Sequence, residues 1–230
     1  MDDGMAKSMG RSIGDNLGSS VGDGTKHVTL HRSAATTTAR RIPRPAWKNA
    51  VILLACTALV ALCAHIAIPL GFTPVPVTLQ PFAVLLLGLL FGPRFGFAAL
   101  VLYLIEGASG LPVFNPHGPG GLAQLFGPTG GYLLAAPFAA ATAGRIYCVA
   151  SRRLRSPIPA AILGAFAGDA LLLSVGALWL GILERTHLSV VLAQSVAPFL
   201  VSDTVQLLAA AACALVLRSF TQPREPLLRA

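Results

Sequence analysis

Charge is scarce in this chain. Of its 230 residues only 11% are Asp, Glu, Lys or Arg, and aromatic residues make up 7%. With 54% hydrophobic residues and a mean hydropathy of +0.70, it has too few charges to cover a soluble surface. The only lysines are Lys7, Lys26 and Lys48, and none closes a GxxxxGK[ST] phosphate loop, so any ATP hydrolysis belongs to another chain. The four cysteines, Cys56, Cys63, Cys148 and Cys213, lack CxxC spacing, which excludes the usual zinc and dithiol sites and leaves buried free thiols as the expectation. His65, His117 and His187 form no metal-ligand spacing. No Ser/His/Asp or Cys/His arrangement rises above chance, so neither an enzyme nor a cofactor is expected.

What the chain does have is long apolar runs, at about 50–69, 80–92, 95–106, 130–150, 158–182 and 189–217. A bilayer core about 30 Å thick takes roughly 20 apolar residues per helical crossing. The runs predict an all-α integral membrane protein with six transmembrane helices, the second and third being short. Arg94 argues against reading those two as a re-entrant hairpin, because it would sit near mid-membrane. Basic residues gather on alternate connections: Arg32, Arg40, Arg41, Arg44 and Lys48, then Arg94, then Arg145, Arg152, Arg153 and Arg155, and finally Arg218, Arg224 and Arg229, with Arg185 on the opposite side. This pattern places both termini in the cytoplasm. The net charge of +8 is therefore read as orientation of the spans, and no nucleic-acid partner is expected. Residues 1–45, rich in Gly, Ser, Thr and Arg and without an h-region, are expected to be a disordered cytoplasmic tail. Residues 46–220 form the membrane domain, and 221–230 a cytoplasmic C-terminal tail.

Two stretches rich in turn formers, "PLGFTPVPVTLQP" and the segment 107–131 with eight glycines and four prolines, fall on the same outer face. Irregular backbone near membrane depth is tolerated where protein buries it or a cavity hydrates it, so these are expected to be structured external loops around a substrate vestibule. In the last run, "SVAPFLVSDTVQLLAAAAC", helical spacing puts Ser195, Phe199, Ser202, Gln206 and Cys213 on one face with Asp203 at its edge. An intramembrane carboxylate is costly without a cavity or partner, which makes Asp203 a functional candidate. Asp169 follows a Gly164-xxx-Gly168 pair suited to close packing, and structural and functional roles are equally open to it. Glu106 is expected to be solvated at the outer end of the third helix. Alanines 55, 58, 61, 64 and 67 trace a small-residue groove on the first helix, suited to an external partner helix.

The elements "FTPVPVTLQPFAVLLLGLLFGPRFG" and "YLIEGASGLPVFNPHGPGGLAQLFGPTGGYLLAAP" closely resemble the BioY family over residues 68–140, and more loosely "GALWL" and "PFLVSD" beyond. The resemblance implies a biotin-binding substrate component of an energy-coupling factor transporter in the cytoplasmic membrane, working with a transmembrane coupling subunit and two ATPases. It implies a site built from Asp203 and Gln206 on the last helix, with Asn115, Thr129, Gly130, Gly131, Tyr132 and Gln80 from the loops and outer helix ends. Members carry Lys three residues after the Asp, where this chain has Gln206. An amide there still offers the ureido ring a donor, but a cation is lost, and the helix N-terminus at "GPTGGY" is the expected substitute for the ligand's carboxylate. The alternative is an ion- or proton-coupled secondary transporter of a small vitamin-like solute using Asp169 and Asp203, which six short helices without a visible repeat fit poorly.

Overall fold

A computed structural model describes residues 46–185 and 187–221. The expected tails over 1–45 and 221–230 lie outside the described residues, except for Thr221, which ends the last helix. The chain order is α1 (Ala46–His65), a two-stranded hairpin of β1 (Ala67–Ile68) and β2 (Val77–Thr78), α2 (Gln80–Phe91), α3 (Pro93–Ala108), the short α4 (Gly121–Leu125), α5 (Gly130–Arg153), α6 (Pro157–Glu184), α7 (Leu188–Ser195) and α8 (Phe199–Thr221). The strands pair antiparallel, Ala67 with Thr78 and Ile68 with Val77.

Among the described residues, four helices (α1, α5, α6 and α8) are long and apolar enough to cross a membrane. The other two expected spans are shorter. α2 has 12 residues, or ~18 Å, and α3 has 16, or ~24 Å. They are separated by Gly92 alone, at φ 85, and Pro93 opens α3. A residue before proline is pushed out of the helical region, and only glycine takes that positive φ without strain, so the chain breaks and turns there. α2 is nevertheless the most enclosed helix: Ala83, Val84 and Leu85 have no exposed surface.

Missing side chains hold the bundle together. A Cβ on Gly88 of α2 would collide with the Ala140 carbonyl of α5, and one on Gly144 would come within 2.5 Å of the Gly88 carbonyl. On the other side of α5, Gly164 and Gly168 of α6 would meet the carbonyls of Ala143 at 2.7 Å and Ala139 at 2.8 Å. α5 is thus clasped between α2 and α6 at backbone distance, with its alanines buried on both sides, and the Gly164-xxx-Gly168 pair is a packing face as expected. At the far end of α2, Arg218 of α8 donates to the Leu89 carbonyl from Nε (3.0 Å) and Nη2 (2.6 Å) and to Leu90 (3.2 Å), over the Tyr147 ring. These are carbonyls the helix end cannot satisfy itself.

Three expectations change. The run 189–217 is not one helix: it breaks between Ser195 and Phe199, because Pro198 has no N–H to donate and disfavours helix at Ala197. Ser195 therefore sits on a different helix from Ser202 and Gln206, and Cys213 is exposed, so the single polar stripe does not form. Glu106 is half-buried and accepts a hydrogen bond from Thr57 Oγ1 of α1 at 3.1 Å. The alanine groove divides: Ala64 has no exposed surface, Ala61 packs against the core, Ala67 lies in β1, and only Ala55 and Ala58 face outward.

Gly88→Ala is expected to lower the unfolding midpoint of the detergent-purified protein, because the Ala140 backbone cannot yield. Such overpacking costs about 1–3 kcal/mol or more. Gly71→Ala, where a new Cβ meets nothing within 4 Å, should stay within roughly 0.5 kcal/mol of the parent.

Candidate functional site

The segment 107–131 folds into a lid rather than a loose loop. Phe114 fills the space that Gly107 leaves open and stacks edge-on against Tyr103 (5.4 Å), whose hydroxyl donates to the Val113 carbonyl (3.0 Å). Fully buried Gln124 ties the next turn together, accepting from the Gly120 N–H at 3.0 Å and donating to the Asn115 carbonyl at 3.5 Å. Asn115 Oδ1 accepts from the His117 N–H (3.0 Å), which fixes the side chain's orientation.

Beneath this lid lies a narrow cavity of about 50 Å³, partly open to solvent and well below the roughly 300–1,000 Å³ of typical small-molecule sites. Its polar lining comprises Thr78 and Gln80 beside β2, Asn115, Thr129 and Tyr132 at the start of α5, and Asp203 on α8. The apolar lining is Val75, Pro76, Pro81, Val84, Leu133, Leu172, Leu173 and Phe199. Asp203 is 3% exposed, and its Oδ1 accepts from Ser202 Oγ at 3.2 Å. Tyr132 is held by its hydroxyl, which donates to the Ser195 carbonyl (3.0 Å), and by Gly176, whose missing side chain makes room for the ring.

Five of the eight residues proposed from the sequence, Gln80, Asn115, Thr129, Tyr132 and Asp203, therefore share one cavity wall. The other three are placed differently. Gly130 is packed against the Leu125 carbonyl and Gly131 against Trp179, so the space beside each is filled by protein; the Gly130 N–H itself donates to the Gly127 carbonyl (2.9 Å). Gln206 spends its amide on the backbone, accepting from the Phe82 N–H (3.1 Å) and donating to the Thr78 carbonyl (3.1 Å). The sequence reading did not single out Trp179 of α6, whose Nε1 donates to the Gly127 carbonyl (2.9 Å) and pins the start of α5. It also missed Leu172 and Leu173, which carry no chemical signal that separates them from other core residues.

A second, wider cavity lies between α6, α7 and α8, and Leu173 and Asp203 belong to the walls of both. Asp169 lines it, is 5% exposed, and has an Oδ1 without a hydrogen-bond partner among the described residues.

A bundle with membrane-length helices that encloses a carboxylate, two amides and a phenol around an apolar chamber defines a multi-pass membrane protein built to bind a small molecule. The chain belongs to the BioY family, whose model matches residues 33–222. It is 44% identical over 97 residues to the probable biotin transporter BioY of Pyrococcus horikoshii, covering 42% of this chain and 58% of that one. It is 37% identical over 150 residues to the biotin transporter BioY2 of Lactococcus lactis subsp. cremoris, covering 65% and 78%. The fold matches the crystal structure of the S-component for biotin from an ECF-type ABC transporter with a TM-score of 0.68 at 26% identity, over 75% of this chain and 92% of that one.

Trp179→Phe keeps an aromatic ring but removes one of the two donors to the Gly127 carbonyl, leaving the Gly130 N–H as the other. A cost of about 1 kcal/mol in stability is expected, measured by thermal unfolding, together with faster amide exchange at residues 127–131.

Proposed function

We propose that this chain binds biotin in the cavity beneath the 107–131 lid and serves as the substrate-binding component of an energy-coupling factor transporter in the cytoplasmic membrane. In this reading a transmembrane coupling subunit and two ATPase subunits complete the transporter. The chain crosses the membrane six times, α2 and α3 being the short pair, with both termini inside and the lid outside. The observation that carries the reading is the buried Asp203 carboxylate facing a cavity that also holds Asn115. A cyclic urea presents two N–H donors and one carbonyl, which an acceptor carboxylate and a donor amide complement. No Lys, Arg or His lines this cavity among the described residues. The ligand's carboxylate is therefore left to Gln80, Thr129 and solvent at the half-buried edge, rather than to Gly130 and Gly131.

Coupling is assigned to the outward face of α1, where Ala55 and Ala58 lie beside exposed Val51, Leu54 and Leu62. Small residues among apolar ones let another helix come close. Ala58→Leu should leave biotin affinity unchanged and reduce uptake severalfold in cells carrying the coupling module. Ala64, by contrast, belongs to the core and cannot serve as such a probe.

The second reading, a secondary transporter driven by an ion or proton gradient, draws support from Asp169 and Asp203 lining one cavity. A single comparison separates the two. Asp203→Asn should weaken biotin binding by ~1.5–3 kcal/mol, or more than tenfold by calorimetry, because an amide presents a donor where the ureido N–H groups need an acceptor. Asp169→Asn should leave affinity within about twofold, because Asp169 lines the wider cavity and not the one beneath the lid. Uptake by the chain alone that collapses with the membrane gradient and is lost in Asp169→Asn would favour the second reading instead.

A further inference from the structure

The first turn of α2 has backbone donors with no partner inside the helix, as every helix start does. Leu79, at its N-cap, makes no side-chain cap bond. The Gln80 N–H reaches Thr78 Oγ1 at 3.4 Å, and Pro81 has no N–H to satisfy. The Phe82 N–H is satisfied from another helix, by Gln206 Oε1 on α8 at 3.1 Å. The same amide turns its nitrogen to the Thr78 carbonyl, at the end of β2, also at 3.1 Å. Because one neighbour can only donate and the other can only accept, the amide has a single orientation.

These two bonds hold the segment that supplies Val75, Pro76, Thr78, Gln80 and Pro81 to the cavity wall. Gln206 is 7% exposed and is not among the residues lining the cavity, whereas Asp203, three residues earlier on the same helix, is. We infer that Gln206 is a positioning residue: it caps α2 from α8 and fixes the 75–81 wall at its distance from Asp203, without touching the ligand. Residue chemistry supports this. The clamp needs one donor and one acceptor on a single head, which Gln supplies; Lys has donors only, ionised Glu has acceptors only, and Asn is a methylene shorter. The inference rests on the cavity being the biotin site.

The test uses the full chain in nanodiscs, with residue-resolved amide exchange and calorimetry. Gln206→Lys keeps a donor for Thr78 but offers the Phe82 N–H nothing. Its Phe82 amide should exchange at least about tenfold faster, and affinity should fall by about tenfold, ~1.4 kcal/mol, as expected for a buried group left unpaired. Biotin and 2-iminobiotin, which differ only at the ureido end, should lose by the same factor, since the displaced wall carries Gln80 at the carboxylate end they share; biotin amide should lose no more than they do. Gln206→Glu keeps the acceptor, so Phe82 protection should stay near the parent value while affinity falls. Gln206→Met removes both bonds and should give the largest effects; if it does not fold, the Lys and Glu variants, each retaining one bond, carry the test. Unchanged Phe82 protection in Gln206→Lys would overturn the inference. So would a gain in affinity confined to biotin with a free carboxylate, or a loss confined to one of the three ligands, since each makes Gln206 a ligand contact. If Asp203→Asn leaves biotin affinity intact, it is the site reading that fails, while Phe82 exchange still reports on the clamp.

Discussion

The structure depends on backbone meeting backbone along α5. Gly88 and Gly144 bring α2 against one side, and Gly164 and Gly168 bring α6 against the other, each at a distance that leaves no room for a Cβ. In lipid the hydrophobic effect gives helices little reason to associate, so close van der Waals contact has to supply it, and small residues make that contact possible. With α5 fixed on both sides, its N-terminal end becomes a rigid platform. Thr129 and Tyr132 on its first turn, Leu172 and Leu173 on α6 and Val84 on α2 are held in one cavity wall by that packing.

Polar groups in this bundle follow a second constraint. With little water available, most find a partner among backbone atoms, many within their own helix or turn and a smaller set on another element. Arg218 closes the C-terminal end of α2 and Gln206 its N-terminal end, both from α8. Tyr132 ties α5 to the end of α7, Trp179 ties α6 to the turn before α5, and Thr57 ties α1 to Glu106 of α3. These bonds matter less for their net free energy, about 0.5–1.5 kcal/mol each, than for the penalty of leaving a buried group unpaired. Their effect is to fix the register of the helices. Asp203 is treated differently: beyond the neighbouring Ser202 hydroxyl it faces open space, which is the arrangement a donor-bearing ligand requires.

The break between α7 and α8 shows how a short irregularity shapes the site. Val196, Ala197 and Pro198 end one helix and begin another, so Phe199 and Asp203 sit on the first turns of α8 rather than midway along a long span. The Ser195 carbonyl, next to the break, is where Tyr132 anchors. Leu173 and Asp203 form the partition between the cavity beneath the lid and the wider space beside α7, leaving Asp169 on the far side of that partition.

Much of this was legible in the sequence. Hydropathy alone marks a membrane protein and locates its apolar helices, because burial in lipid demands composition before it demands any particular neighbour. The Gly164-xxx-Gly168 spacing announced a packing face, and the turn-rich segment 107–131 announced a structured lid, since apolar residues such as Val113 and Phe114 have no place in a solvated loop. Asp203 stood out because a carboxylate in an apolar run needs a reason. What the sequence could not decide is direction. Gln206 reads as a ligand donor when only its helical face is known, and as a clamp once Thr78 and Phe82, more than 120 positions away, are placed beside it. Gly130 and Gly131 read as room for a ligand until Leu125 and Trp179 fill that room, and Ala64 reads as part of an outer groove until the core closes over it. A side chain's type fixes what bonds it can make, but which bonds it does make depends on atoms brought together only by the packing of distant helices.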